Sequence, residues 1–257
     1  MDTLRQCFSF IDLTTLNATD TEARGSMFAQ NVNRFADEYP DMPNVAAICV
    51  YPSLIESVRE TLRVKDVKIA AVGAGFPASQ TFSGIKVREC ALCTEKGADE
   101  VDIVLSLNYF FSGHHEKVAA EIREIRKAMA EKAHLKVILE TGALRTAENI
   151  RKASFLAMEN GADFIKTSTG KMDPAATPFA ARIMCECIAE FYTQTKVKIG
   201  FKPAGGIVTT AEALEYYDIV RDILGEEWLH PSLFRIGASR LANNLLKDIF
   251  SQEFAFF

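Results

Sequence analysis

Eight times along the chain, a short run rich in apolar and β-branched residues leads into a polar or glycine-bearing turn and then a segment of helical period. Strict alternation of this kind constrains the fold more than any single residue does. Successive strands must be parallel, and each helix must cross back over a face of their sheet. The predicted strands are residues 8–14, 46–51, 68–73, 100–105, 136–140, 164–168, 198–202 and 234–237. Among the intervening segments, 116–132 carries Val118, Ile122, Ile125 and Met129 on one face, and 81–96 and 146–159 read as further helices.

The punctuation agrees with that reading. Thr146-Ala-Glu-Asn149 and Thr209-Thr-Ala-Glu212 are helix starts, the second with its Glu placed for a capping box. Gly97 and Gly161 fall where helices should stop, each followed by Ala-Asp and a strand, which indicates repeated αβ units rather than two domains. No composition break or Pro/Gly-rich linker interrupts the 257 residues. Eight units in this length favour a closed barrel of ~250 residues over a doubly wound sheet. The G-x-G-x-x-G fingerprint of the latter is also absent from the first strand. The expected fold is therefore α/β: a single (β/α)8 TIM barrel over residues 1–257, with an N-terminal helical extension between and around the first strands. An apolar tail, residues 248–257, carries Phe250, Phe254, Phe256 and Phe257.

A net charge of −5 argues against a nucleic-acid partner, which needs a basic face. No apolar stretch approaches the ~18 residues of a membrane span, and Met1-Asp2-Thr3 opens no signal peptide. A soluble cytoplasmic protein is the default expectation. The six cysteines form no disulfide framework. Cys90 and Cys93 have metal-ligand spacing, but no second pair or nearby His completes a zinc site, and helix packing accounts for them, as it does for Cys185 and Cys187. His114-His115 reads as a solvated helix start.

In a (β/α)8 barrel, chemistry sits at the C-terminal ends of the strands. Those positions hold Asp12, Cys49, Asp102, Glu140, Lys166 and Lys202, with Ser239 just past the last strand. Charges inside apolar runs are informative because an unpaired buried charge is costly. One such Lys alone is ordinarily an ion-pair partner. Lys166 and Lys202, on adjacent strands and directed into one barrel mouth, are harder to dismiss. At a few Å and an effective dielectric of ~20, their repulsion is on the order of 3–4 kcal/mol, or roughly two to three pK units. Desolvation acts in the same direction. A neutral Lys is the nucleophile that forms an imine with a carbonyl compound, and Asp102 is placed to move protons for it. No histidine lies at a strand end, so a metal is not expected. The loops Ser168-Thr169-Gly170-Lys171, Pro203-Ala-Gly205-Gly206 and Gly237-Ala-Ser239 are small-residue turns suited to a phosphate.

At this point the chain resembles the deoxyribose-phosphate aldolases. The matching phrases are Asp12-Leu-Thr14-Thr-Leu-Asn17, Ala46-Ala-Ile-Cys49-Val-Tyr-Pro52, Gly97-Ala-Asp-Glu-Val-Asp102 and Lys136-Val-Ile-Leu-Glu-Thr-Gly142. They continue with Phe164-Ile-Lys-Thr-Ser-Thr-Gly-Lys171, Gly200-Phe-Lys-Pro-Ala-Gly-Gly206 and Arg235-Ile-Gly-Ala-Ser239. The resemblance implies reversible, cofactor-free cleavage of 2-deoxy-D-ribose 5-phosphate to D-glyceraldehyde 3-phosphate and acetaldehyde, in deoxynucleoside breakdown, by a cytoplasmic homodimer. It implies Lys166 as the Schiff-base lysine, with Asp102 and Lys202 moving protons. Asp12, Thr14, Cys49, Thr169, Gly170, Lys171, Gly205, Gly206, Gly237 and Ser239 would line the substrate and phosphate pocket, Cys49 as a wall.

Three positions depart from the pattern. Ser79 stands where Gly is usual, which predicts a stiffer third loop; Arg240 stands where a second Ser is common; and the chain ends in Phe257 where some members carry a Tyr implicated in proton transfer. Two tail placements are open: packing on an outer surface or a partner subunit, or folding over the barrel mouth. The rival functions are another imine-forming aldolase or transaldolase, and a non-catalytic phosphosugar-binding barrel.

Overall fold

The computed structural model describes residues 2–130 and 132–257. Its eight strands are β1 (Ile11–Thr14), β2 (Ala47–Val50), β3 (Lys68–Gly73), β4 (Glu100–Val104), β5 (His134–Ile138), β6 (Phe164–Lys166), β7 (Gly200–Lys202) and β8 (Ile236–Ala238). All their pairings are parallel, in the order β7-β6-β5-β4-β3-β2-β1-β8. The ring closes between β7 and β8 by isolated bridges: the Phe201 N–H donates to Leu233 O, Arg235 N–H to Phe201 O and Gly237 N–H to Pro203 O. This is the expected TIM barrel.

Eleven α-helices lie among the described residues. They are α1 (Thr3–Ser9), α2 (Glu22–Glu38), α3 (Ile55–Thr61), α4 (Ser83–Glu95), α5 (Leu107–Phe111), α6 (His115–Ala128), α7 (Thr141–Leu144), α8 (Ala147–Met158), α9 (Pro178–Thr195), α10 (Thr210–Leu224) and α11 (Leu241–Phe250). None is long and apolar enough to cross a membrane. Local signals place their starts. Thr146 accepts from the Asn149 N–H, and Thr209 and Glu212 form the reciprocal capping box. Cys90, Cys93, Cys185 and Cys187 are all buried in helix packing, and exposed His114 caps α6.

The repeated Gly-Ala-Asp phrase has a definite task. Gly97 and Gly161 take positive φ (99° and 105°), which turns the chain out of α4 and α8. The Asp two residues later then ties neighbouring strands together. Asp99 Oδ2 accepts from the Ile69 N–H of β3, and Asp163 Oδ2 from the Leu135 N–H of β5. Arg59 and Arg126 pair with these two carboxylates from the helices that precede the bonded strands, α3 and α6.

Residues 8–10 are not strand, contrary to the sequence reading. Phe8 and Ser9 end α1, and β1 starts at Ile11. The apolar run is continuous because the end of α1 is itself buried. Phe10 packs on Phe234 at 5.1 Å between ring centroids, and Tyr217 of α10 donates to Gln6 at 2.9 Å. The helix expected over 116–132 ends at Ala128, and Glu131 lies outside the described residues.

The lumen has two unlike halves. Ala47 and Cys49 of β2 and Ala70 and Val72 of β3 form a buried apolar wall with Leu16. Opposite them, β4 to β7 carry charges, joined by Asp12 of β1 and by Arg235 just before β8. Register sets the layers: Asp102 aligns with Lys136, Lys136 with Phe164, Phe164 with Gly200, and Lys166 with Lys202. Phe164 fits only because Gly200 has no side chain; a Cβ there would lie 2.2 Å from the ring. Gly237 likewise leaves room for Lys202, whose Cε would lie 3.2 Å from an added Cβ.

The tail begins later than residue 248, since Asp248–Phe250 complete α11. Phe256 lies edge-on to Phe35 at 5.4 Å, Phe257 rests on Phe8 and Phe35, and Phe254 on Tyr39. Asn243 clamps the end, accepting from the Phe256 and Phe257 N–H groups and donating to Phe257 O. The tail therefore packs on the outer face formed by α1, α11 and the C-terminal half of α2, not over the mouth. Deleting residues 253–257 should cost about 3 kcal/mol of stability by uncovering this cluster, read as a lower Tm. Gly200→Ala should cost more than 2 kcal/mol through overpacking against Phe164, measured by denaturant unfolding.

Candidate active site

The C-terminal ends of β1, β6, β7 and β8 open into a cavity of about 310 Å³. Of the site residues named from the sequence, Thr14, Lys166, Thr169, Gly170, Lys171, Gly205, Gly206, Gly237 and Ser239 line it. Asp12, Cys49, Asp102 and Lys202 do not. They lie beneath the floor, fully buried, so neither Asp12 nor Cys49 is a wall of this cavity. Lys166 is the single member of the charged lumen that reaches it.

One carboxylate organises that floor. Asp102 Oδ2 accepts from Lys166 Nζ at 2.8 Å and from Lys202 Nζ at 2.7 Å, while Oδ1 accepts from Lys136 Nζ at 3.1 Å. Burial alone would raise its pKa, but the three lysines hold it well below the ordinary value, so it is an anion. Lys202 also lies 2.5 Å from Asp12 Oδ2, an ion contact whose angles fall outside hydrogen-bond geometry. Burial presses the Lys202 ammonium toward neutrality, yet Asp102 and Asp12 outweigh it and hold the pKa above the usual lysine value.

Lys166 differs from its neighbour. Its one carboxylate contact is Asp102, and burial outweighs that attraction, so its pKa is lowered, with the Lys202 charge as a smaller cause. The sequence reading put like-charge repulsion first, with desolvation acting in the same direction; here desolvation is the larger cause, and Lys202 is neutralised by two carboxylates of its own. Cys49, buried beside them, has its thiol pKa raised by burial and stays protonated.

Sequence reasoning missed the lower part of this cluster. Lys136 pairs with Glu100, with Asp102 and, at 3.6 Å, with Asp12. Arg235 reaches across the lumen to Glu100 through Nη2 at 2.6 Å and to Asp12 through Nη1 at 2.6 Å. The signal was present, because each of these charges interrupts an apolar strand just as Lys166 does. They sit one layer below the strand ends, where only the ends had been read.

Glu140, at φ 57°, accepts from both the N–H and hydroxyl of Thr169 and so holds the loop after β6. Lys171 donates to Leu16 O across the cavity. Of the departures from the family pattern, Ser79 adopts φ 55°, a conformation that favours glycine, and its hydroxyl lies 3.4 Å from that of Ser106. Arg240 lines the cavity, where it and Arg24 add two guanidinium groups to the Lys171 ammonium.

A family description, "DeoC/LacD family aldolase", matches residues 8–223. Human deoxyribose-phosphate aldolase is 40% identical over 96% of this chain and 80% of its own length. The solved structure of QR15, an aldolase, superposes with a TM-score of 0.77 at 28% identity, covering 98% of this chain and all of its own. The tetrameric deoxyribose phosphate aldolase of Aeropyrum pernix shares the fold, with a TM-score of 0.74 at 23% identity over 98% of this chain and 94% of that one. By family match and by identity over nearly its whole length, the chain belongs to the DeoC/LacD family of aldolases.

Proposed function

We propose that this aldolase reversibly cleaves 2-deoxy-D-ribose 5-phosphate to D-glyceraldehyde 3-phosphate and acetaldehyde through an imine on Lys166. The observation that carries the reading is the floor geometry: a buried amine with lowered pKa, one carboxylate contact and access to the cavity. The name of the human relative supports the substrate. The cavity supports it too, since Lys171, Arg24, Arg240 and three glycine-bearing loops line it together with the amine.

In the proposed sequence, the phosphate sits among Lys171, Arg24, Arg240 and the Gly205-Gly206 and Gly237–Ser239 backbone. That leaves the aldehyde carbon of the open-chain sugar at Lys166. The amine adds to the carbonyl, water leaves, and a protonated imine forms. The C2–C3 bond then breaks as the C3 hydroxyl loses its proton, its electron pair passing into the imine to give an enamine. D-glyceraldehyde 3-phosphate departs. Protonation of the enamine carbon and hydrolysis return the amine and release acetaldehyde. Asp102 is anionic and Lys202 cationic, so the carboxylate accepts protons and the ammonium supplies them. Phe257 carries no hydroxyl and packs elsewhere, so the tail has no part in proton delivery.

We assign the reaction to deoxynucleoside breakdown in the cytoplasm, with the chain as a homodimer. Sedimentation separates that state from a tetramer like that of the A. pernix relative.

Acetaldehyde with borohydride should add one two-carbon unit, at Lys166, detected by intact mass and peptide mapping. Lys166→Ala should lose the adduct and at least 10³-fold in turnover. An adduct mapped to another lysine would overturn the mechanism. Activity should also survive prolonged EDTA treatment, because the lumen carboxylates are already engaged by lysine and arginine. Loss on chelation with recovery on adding zinc would count against an imine route.

A further inference from the structure

The buried groups linked by contact in the lumen are three carboxylates and four bases. The carboxylates are Asp12 of β1 and Glu100 and Asp102 of β4. The bases are Lys136 of β5, Lys166 of β6, Lys202 of β7 and Arg235 leading into β8. Every one is at most 5% exposed. In so dry a space, net charge is costly, and the bases compete for three negative charges. Lys136 contacts all three carboxylates, Lys202 touches Asp102 and Asp12, and Arg235 touches Asp12 and Glu100. Lys166 touches Asp102 alone, which makes it the base least favoured to carry a fourth positive charge.

We propose that the Glu100–Arg235 pair, which takes no part in lining the cavity, sets the charge balance of the lumen and thereby holds Lys166 as a neutral amine. The pair is built to stay charged. Arg235 meets Glu100 through two hydrogen bonds, at 2.6 and 3.1 Å, donates to Asp12 at 2.6 Å, and anchors its Nε on Pro231 O. Arg235 and Lys136 both lie over Phe164, whose ring is 5.7 Å from the Arg235 guanidinium and 5.8 Å from Lys136 Nζ. They are reached from the opposite end of the barrel, through a second cavity of about 540 Å³ that also borders Asp66, Lys68, His134 and His230. Those four are exposed, and solvent screens them. On the cavity side, Lys171, Arg24 and Arg240 share the lining with Lys166, but all three are exposed and screened by solvent; Cys49 stays a thiol, Glu140 is engaged by Thr169 outside the ion-pair network, and β3 brings only Ala70 and Val72. The lowered pKa of Lys166 accords with this balance. Glu100 and Arg235 are thus positioning residues that act on the amine through charge.

The inference rests on Lys166 as the imine-forming lysine, and the test keeps the two apart. The rate of acetaldehyde adduct formation at Lys166, trapped with cyanoborohydride and followed by mass against pH, reports the protonation of that amine. A unit charge about 10 Å away, at an effective dielectric of about 20, moves a pKa by about one unit. Arg235→Met removes a positive charge, so the profile should move up by about one pH unit, with a roughly tenfold loss of rate on its acid limb. Glu100→Gln removes a negative charge and should move it down by a similar amount. The double variant E100Q/R235M should return close to the original position, and Arg235→Lys should leave it there. Lost packing alone would slow the reaction without shifting the two single variants in opposite directions. Glu100→Gln keeps shape and an acceptor oxygen, so it decides the sign if Arg235→Met fails to fold. A profile unmoved by Glu100→Gln, or moved upward, overturns the proposal while the Lys166 adduct stands. Absence of any Lys166 adduct in the unaltered protein overturns the reading of the site and this inference with it.

Discussion

The centre of this molecule is a carboxylate shared by three lysines. Asp102, fully buried on β4, accepts from Lys136, Lys166 and Lys202 on the three strands that follow it around the ring. An isolated buried carboxylate would cost many kcal/mol, and so would each lysine. Together they are tolerable only while every strand keeps its register, since a one-residue slip would turn the side chain out of the lumen. Removing one partner of such a pair typically costs about 3–5 kcal/mol. The charges therefore depend on the barrel, and the barrel's alignment from β4 to β7 is in turn specified by the charges.

The shape of the site follows from that centre. Short strands at β6 and β7 end at Lys166 and Lys202, so the chain turns into loops directly above the amine. Gly200 and Gly237 give up side chains so that Phe164 and Lys202 can occupy the lumen. The apolar wall of Ala47, Cys49, Ala70 and Val72 lines the other half of the interior and contributes no charge there. Small residues above and cations at the rim leave a cavity that the reactive amine shares with three cationic side chains.

The architecture was legible because alternation and punctuation are local properties. The Gly-Ala-Asp phrase could be seen twice in the sequence, and its structural task is the same both times. What failed at residues 8–10 was the step from "apolar" to "strand": the end of α1, Cys7–Ser9, is buried, so helix passes into strand with no exposed residue to mark the boundary. For the site, the strand-end rule located Lys166 and Ser239 of the cavity lining and the charges of Asp102 and Lys202 beneath it, while the small-residue loops supplied most of the rest. It passed over Glu100, Lys136 and Arg235, whose partners are 34 to 223 residues away in sequence and meet only when the ring closes. Spacing along a chain carries no information about contacts across a lumen. The unequal fates of Lys166 and Lys202 were hidden for the same reason, since what distinguishes them is how many carboxylates each one touches.

Barrel interiors of this architecture are ordinarily filled by layers of branched apolar side chains. Replacing a buried ionic cluster by well-packed apolar residues is often neutral or stabilising, so stability does not account for seven ionisable groups in this lumen. On the proposed reading, a chemical demand does. An amine that is to act as a nucleophile near neutral pH needs dry surroundings, yet a proton acceptor and a proton donor must stand beside it, and both of those are ions. The only way to keep ions in a dry space is to balance them with further ions below. Glu100, Lys136, Asp12 and Arg235 are that lower layer. The upper layer then exposes to the cavity the one base for which no counter-charge remains.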